Sequence, residues 1–331
     1  MSSPGHLQSL KHHWLLRRVD DPARWDAFVR ESAQGSVFSR WDYLVALGQP
    51  FSCLEVVGTD QRTVAGIAVL EDAGRMHAAP FPFTPHQGLL FASHVNQAPN
   101  HKRASSCLRI TEFMISELIA RYGNVEMALS PAFEDIRPFA WHNYGQPALP
   151  QFRISTRYTA RLALAGFDPN DYLARIRSVR RQEFHKSRAV VTETADIDGF
   201  IRLYVRTFER QQLAVSEPSL QRVARIAEAA LRQGFGRLSV ATVDGQPASF
   251  SLFVRDACTA YYLFGANDPE LRSTGASTRL MIDNIAHFAA QGCSAVDFVG
   301  VNSPQRGDFK LSFNPALLPY FEVHLDASAA A

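Results

Sequence analysis

Two segments in the second half of the chain carry residue types that can grip an activated, negatively charged carrier. Lys310 lies in Phe309-Lys-Leu-Ser-Phe313. An ammonium held between aromatic rings is partly desolvated, and such a group can stabilise a developing oxyanion or hold a phosphate. The competing reading is a surface lysine whose stem covers apolar neighbours while its head stays in water. Upstream, Arg272-Ser-Thr-Gly-Ala-Ser-Thr opens a helix. Small residues at Gly275, Ala276 and Ser277 let a ligand approach the backbone, and the unpaired N–H groups of a helix start bind anions. A pyrophosphate fits there, with Arg272 adding charge; an ordinary helix cap is the alternative. A third cluster is Arg175, Arg177, Arg180, Arg181, His185, Lys186 and Arg188. On a helix Arg177, Arg181 and His185 share a face, which makes Arg181 a candidate phosphate clamp. A solvated helix face explains the same pattern, and no aromatic RNA-binding signature accompanies it.

These residues need a frame. The strand pattern Cys258–Phe264, a helix over 276–290 and a strand Ala295–Val299 place the small-residue loop and a polar loop, Val301 to Asp308, at strand ends. That is where α/β proteins tend to hold ligands. Ahead of them, Arg237–Val243 and Pro247–Val254 flank Asp244-Gly245, a hairpin signal. A helix over 170–187 starts from Asp168-Pro169, and two amphipathic stripes follow it. The first half repeats this order. Helical patterns at 22–33 and 39–48 precede strand-like runs Ser52–Val57, Thr63–Leu70 and Arg75–Ala79, a helix over 105–121 and a strand Val125–Leu129. The fold expected is α/β in the α+β sense, two tandem units over 12–150 and 151–325. Each unit is a mixed, largely antiparallel sheet flanked by helices. The proline-rich stretch 130–158 is the expected passage between them, and the tail from Asp326 is expected to fray.

Composition excludes several classes. The 331 residues are 46% hydrophobic and 20% charged with a net charge of +2. That is a globular balance with no global signal for DNA. The start lacks a signal-peptide layout and no apolar run is long enough to cross a bilayer. Cys53, Cys107, Cys258 and Cys293 form no CxxC pair, as in proteins of a reducing compartment. A cytoplasmic protein is expected. His12-His13 has no partner ligand at metal spacing, so no metal is expected. Walker, GxSxG and Rossmann fingerprints are absent. The oligomeric state is not legible.

From about Thr156 to Phe321 the chain resembles the FemAB-like N-acyltransferases of the GNAT superfamily. The resemblance rests on Arg157-Tyr-Thr-Ala-Arg-Leu, Val179-Arg-Arg-Gln-Glu-Phe-His-Lys-Ser-Arg and Thr207-Phe-Glu-Arg-Gln. It continues through Gly275-Ala-Ser-Thr-Arg-Leu-Met-Ile-Asp, Gly292-Cys-Ser-Ala-Val-Asp-Phe-Val-Gly and Phe309-Lys-Leu-Ser-Phe. Pro80-Phe-Pro-Phe-Thr-Pro-His-Gln-Gly-Leu-Leu resembles a segment of the first domain of such proteins. The resemblance implies tandem GNAT folds with a cleft between them, and a donor that is acyl-CoA or aminoacyl-tRNA. It also places the Phe-Lys-x-x-Phe lysine, here Lys310, at the donor or reaction centre. Asn314 stands where a glycine follows the second Phe in the best-matched members. Arg272-Ser-Thr-Gly275-Ala-Ser277 keeps the acyl-CoA loop pattern except at its last residue, which favours acyl-CoA.

Acyl transfer to an amine asks for a proton acceptor and an oxyanion stabiliser. Asp297 at a strand end is the first candidate base. Asp308, in the adjoining loop, is the second and sits on the substrate side. Tyr262 is a candidate proton donor to the leaving group, and His86, in Thr84-Pro-His-Gln-Gly, is a candidate to face the acceptor from the first unit. Each has a purely structural alternative. The expected activity is N-acyl transfer to a small amine, amino sugar or cell-envelope precursor. A tRNA-dependent aminoacyl transferase is the alternative enzyme, and a degenerate GNAT scaffold that only binds is the alternative of another class.

Overall fold

Asp244 and Gly245 both take positive φ, 50° and 79°, the backbone that a two-residue hairpin requires. They join two neighbouring strands towards one edge of the larger of two sheets. The structure, a computed structural model, describes residues 14–76 and 81–326. His12-His13, the end of the strand expected over 75–79, Pro80 and the tail from 327 lie outside the described residues. The first half runs β1 (Leu15–Val19), α1 (Pro22–Glu31), α2 (Trp41–Ala46), β2 (Phe51–Val57), β3 (Thr63–Asp72), β4 (Arg75–Met76), β5 (Leu90–Phe91), α3 (Ser93–Asn96), α4 (Asn100–Tyr122), β6 (Val125–Ala128) and α5 (Arg137–Ala140). The second runs β7 (Arg153–Ala163), α6 (Pro169–Arg175), α7 (Ser178–Lys186), β8 (Val190–Glu193), α8 (Ile197–Glu209), α9 (Glu217–Arg232), β9 (Gly236–Val243), β10 (Gln246–Arg255), β11 (Thr259–Asn267), α10 (Ala276–Ala290), β12 (Ala295–Asp297), α11 (Pro304–Leu311) and β13 (Ala316–Leu325).

The smaller sheet has the order β1-β2-β3-β4, with β5 also on β3. The larger has the order β6-β13-β7-β12-β11-β10-β9-β8. Among the described residues every strand pairing is antiparallel except β11 with β12. This is the mixed, helix-flanked α/β architecture expected, with one difference of detail. β6, the strand that closes the first half's repeat, pairs with β13 in the larger sheet. The segment Thr84–Gly88 is the seam between the sheets. The Gln87 backbone bridges Ala128 while its side-chain amide donates to the Ala68 carbonyl of β3 at 2.7 Å.

Apolar packing crosses the same seam. Trp25, Phe38, Tyr43 and Leu44 share one buried cluster with Phe200, Val223, Ile226, Phe250 and Phe264. The helix expected over 170–187 is two helices. Ile176 turns extended (ψ 162°) to bury itself, and the Arg177 amide leaves the helix ladder for the Ser312 carbonyl at 3.0 Å. The polar loop expected from Val301 to Asp308 becomes α11 from Pro304 onward.

Candidate active site

The site begins where two parallel strands part. β11 and β12 pair at Thr259↔Ala295, Ala260↔Val296 and Tyr261↔Asp297. β12 then ends while β11 runs on to Asn267. The ending has a local cause: the Asp297 carboxylate accepts the Val299 amide at 2.8 Å, and Val299 and Gly300 turn with φ of 38° and 47°. A β-branched residue at positive φ is strained, and such strain survives only where the surroundings hold it. Lys310 supplies part of that hold, its Nζ donating to the Val299 carbonyl at 2.7 Å. Beyond the fork, β11 carries a bulge. Leu252 faces Phe264 and Phe253 faces Tyr262, so Leu263 opposes no residue of β10, as bulges beside sites often arrange.

A cavity of 620 Å³ opens at this fork, lined by Tyr262, Leu263, Arg272, Ser277, Asp308 and Lys310, with Arg180 and Arg210 on its walls. The Lys310 ammonium lies 5.4 Å from the Tyr262 ring centroid. Burial pushes the Tyr262 hydroxyl up to about 12, so it stays protonated and able to donate. Gly265 makes room for it: a Cβ there would meet the Tyr262 hydroxyl at 1.9 Å. The charge balance is positive. Glu183 is paired with Arg180 at 2.5 Å and Asp308 with Arg177 at 2.8 Å, which leaves Arg210 and Arg272 to face the cavity without an ion pair among the described residues. α10 begins here with no side-chain cap, and uncapped helix N–H groups favour anions.

The structure thus brings Lys310, Tyr262, Arg272, Ser277 and Asp308 to one cavity. Gly275 and Ala276 are not in its lining. Gly275 (φ 71°) packs against the α7 backbone, where a Cβ would meet the Glu183 carbonyl at 2.7 Å, and Ala276 is buried. Arg181 is outside the cavity too, donating to the Ala174 carbonyl at 2.7 Å. Arg180 is the arginine of that cluster which reaches it, also donating to Thr278 Oγ1 at 3.1 Å and lying 5.1 Å from the Phe309 ring. The Asn314 position takes the left-handed φ, 62°, that asparagine tolerates.

Asp297 and His86 line a second cavity, of 520 Å³, between the two halves. Asp297 is buried and accepts from Thr159 Oγ1 as well as from the Val299 amide. The Val299 residue therefore connects Asp297 on one side of the fork to Lys310 on the other. His86 is 4% exposed, and neither ring nitrogen makes a well-formed hydrogen bond among the described residues. Burial pushes its pKa below 6.5, against the opposing pull of the Asp297 carboxylate and the Leu129 main chain. The ring is thus neutral at pH 7. The unfolded chain takes up this proton first, so the residue withdraws stability as pH falls from 6.5 through the folded-state value. Melting temperatures should therefore fall more steeply between pH 7 and 5.5 in the native protein than in His86→Gln. Parallel curves would show that His86 titrates normally. Among the described residues no group of three or more His, Cys, Asp or Glu is placed to hold a metal ion, and no helix is long and apolar enough to cross a membrane.

Residues 170–311 match the acetyltransferase (GNAT) domain family. The solved structure of FemX aligns with a TM-score of 0.66 at 11% identity, over 93% of this chain and 96% of that one. L-PGS from Bacillus licheniformis aligns at 0.51 and 15% identity, over 92% and 91%. A tandem GNAT protein from the clavulanic acid biosynthesis pathway aligns at 0.50 and 12%, over 94% and 98%. At these identities the likeness is one of fold. No curated protein sequence matches the chain. The forked strands and the uncapped start of α10 both lie within the segment that resembles an acetyltransferase (GNAT) domain. In whole-chain architecture the protein is similar to FemX and to the tandem GNAT protein.

Proposed function

We propose that the protein is an N-acyltransferase whose donor is an acyl-CoA bound in the cavity at the fork and whose amine acceptor enters through the inter-domain cavity. Two units, over 12–150 and 151–325, form the walls between which that acceptor sits. One observation carries the reading: both cavities adjoin β11. The inter-domain one does so at Thr259 and Tyr261, where β11 still pairs with β12 and Asp297. The other does so from Tyr262 to Asn267, beyond the point where the strands part. A thioester laid through the fork presents its carbonyl to both.

The donor's phosphates are held by Arg272, Arg180 and the start of α10 around Ser277, and the Lys310 ammonium faces the carbonyl oxygen. The neutral amine attacks the carbonyl carbon, forming the C–N bond, and the C–S bond breaks. Lys310 stabilises the oxyanion in between. The amine's proton passes to the neutral His86 ring, whose cationic form the nearby Asp297 carboxylate favours. Tyr262, neutral and at the fork, is the donor that meets the leaving sulfur. Asp308, tied to Arg177, orders the cavity rim.

The test is amine-dependent release of free thiol from short- and medium-chain acyl-CoAs, measured on the full chain with an amine panel. Thiol release with matching N-acyl product is expected. Ribonuclease-sensitive transfer from aminoacyl-tRNA, without thiol release from any acyl-CoA, would select the tRNA donor instead. Tight coenzyme A binding with no product on any amine would reduce the protein to a binding scaffold.

A further inference from the structure

The inter-domain cavity has more charge than proton transfer requires. Its carboxylates are satisfied from within the protein. Asp256 accepts from the Cys258 and Thr259 amides at 2.9 and 2.8 Å and from the Tyr261 hydroxyl at 2.8 Å. Asp297 is held by Thr159 and Val299. Asp26 accepts the Trp41 amide at 2.8 Å and has Arg40 at 3.5 Å. The arginines are not matched in the same way. Arg30, Arg161 and Arg255 line this cavity, and none of them has a carboxylate within ion-pair distance among the described residues, Arg161 donating instead to Thr259 Oγ1 at 3.1 Å. Polar atoms buried at the cavity wall are also left open: Ser36 Oγ and both His86 ring nitrogens make no well-formed hydrogen bond among the described residues. Buried polar groups without partners are rare in a finished fold.

We infer that the acceptor is of amino-acid type, its own carboxylate held by Arg161 with Arg30 and Arg255 while its amino group is turned to His86. A planar guanidinium takes a carboxylate through two parallel hydrogen bonds, which fixes orientation as well as charge. Fixing the carboxylate then fixes which nitrogen reaches the fork. At 520 Å³ the cavity has room for an amino acid with its side chain. The fate of the amine rests on the acyl-transfer reading above; the capture of the carboxylate does not.

The experiment uses matched pairs that differ only in the carboxylate: lysine with cadaverine, ornithine with putrescine and tyrosine with tyramine. Binding to the full chain is measured by calorimetry, and acylation by product formation. At least one amino acid should bind about tenfold or more tightly than its decarboxylated partner, a difference of about 1.4 kcal/mol. Arg161→Gln should erase that preference, and Arg161→Lys should restore part of it. Coenzyme A affinity of the same variants reports that the fold is intact. Equal binding of both members of every pair, or a preference that survives in Arg161→Gln, overturns the inference. Stronger binding of phosphoethanolamine than of any amino acid overturns it in favour of a phosphate ligand. Absence of acylation with the binding preference present would sink the acyl-transfer reading and leave the carboxylate site standing.

Discussion

Replacing Lys310 with alanine is expected to lower kcat/KM for acyl transfer by roughly 10²–10³-fold, about 2.7–4 kcal/mol of transition-state stabilisation, the range seen when one oxyanion donor is removed. The ammonium is anchored at the Val299 carbonyl, 2.7 Å away, at the strained turn that ends β12. It sits above the Tyr262 ring, on the wall of the cavity at the fork. In that position its charge is half-shielded from water, which strengthens its pull on a developing negative oxygen. Steady-state kinetics separates two roles. A lysine that acts on charge present only in the transition state lowers kcat and leaves the donor KM in place; one that holds a donor phosphate raises KM. The first outcome is expected. Lys310→Arg should recover only part of the loss, because a planar fork cannot place its charge where the compact ammonium stood. Turnover equal to the native protein's would remove Lys310 from the mechanism.

That Lys310 and the Arg272 loop face one cavity was legible in the sequence, because both lie at the ends of elements with clear patterns. α10 occupies 276–290 as its apolar face requires, and Asp244-Gly245 marks its hairpin unambiguously. Other elements carry weaker marks. β13 contains Pro319, and α11 is a polar run broken by Gly307, so neither reads as a regular element in isolation; tertiary pairing and packing make them so. The break between α6 and α7 depends on the Ser312 carbonyl, more than a hundred residues downstream, and nothing local announces it. Arg180 rather than Arg181 reaches the cavity for a related reason. No residue of α7 is buried, so no apolar stripe tells which of its faces turns inward. The Asp297–His86 juxtaposition is a long-range product of the seam between the sheets. The fragment Thr84-Pro-His-Gln-Gly gives only the turn chemistry, and the bulge at Leu263 leaves no trace in side-chain alternation.

Gly275 shows how a residue can serve a site it does not line. Gly275→Ala is expected to cost about 2–5 kcal/mol, combining the left-handed penalty of an L-residue with the strain of an overpacked contact. The glycine has φ 71°, and the added Cβ would lie 2.7 Å from the Glu183 carbonyl. That atom is backbone of α7, so it cannot swing aside as a side chain would. The start of α10 must then move off α7, and the contacts between them go with it: Thr278 Oγ1 to Glu183 at 2.5 Å and Arg180 to Thr278 at 3.1 Å. Both Arg180 and Ser277 wall the donor cavity, so the donor KM should rise along with the fall in denaturation midpoint. Gly292→Ala supplies the comparison. Gly292 has φ 78° just past the other end of α10, with nothing within 4 Å of a Cβ. It should lose only the conformational part, about 1–2 kcal/mol, and leave the donor KM unchanged. Equal losses in the two variants would mean that α7 yields to the methyl group, and that the packing of α7 on α10 does not set the shape of the donor cavity.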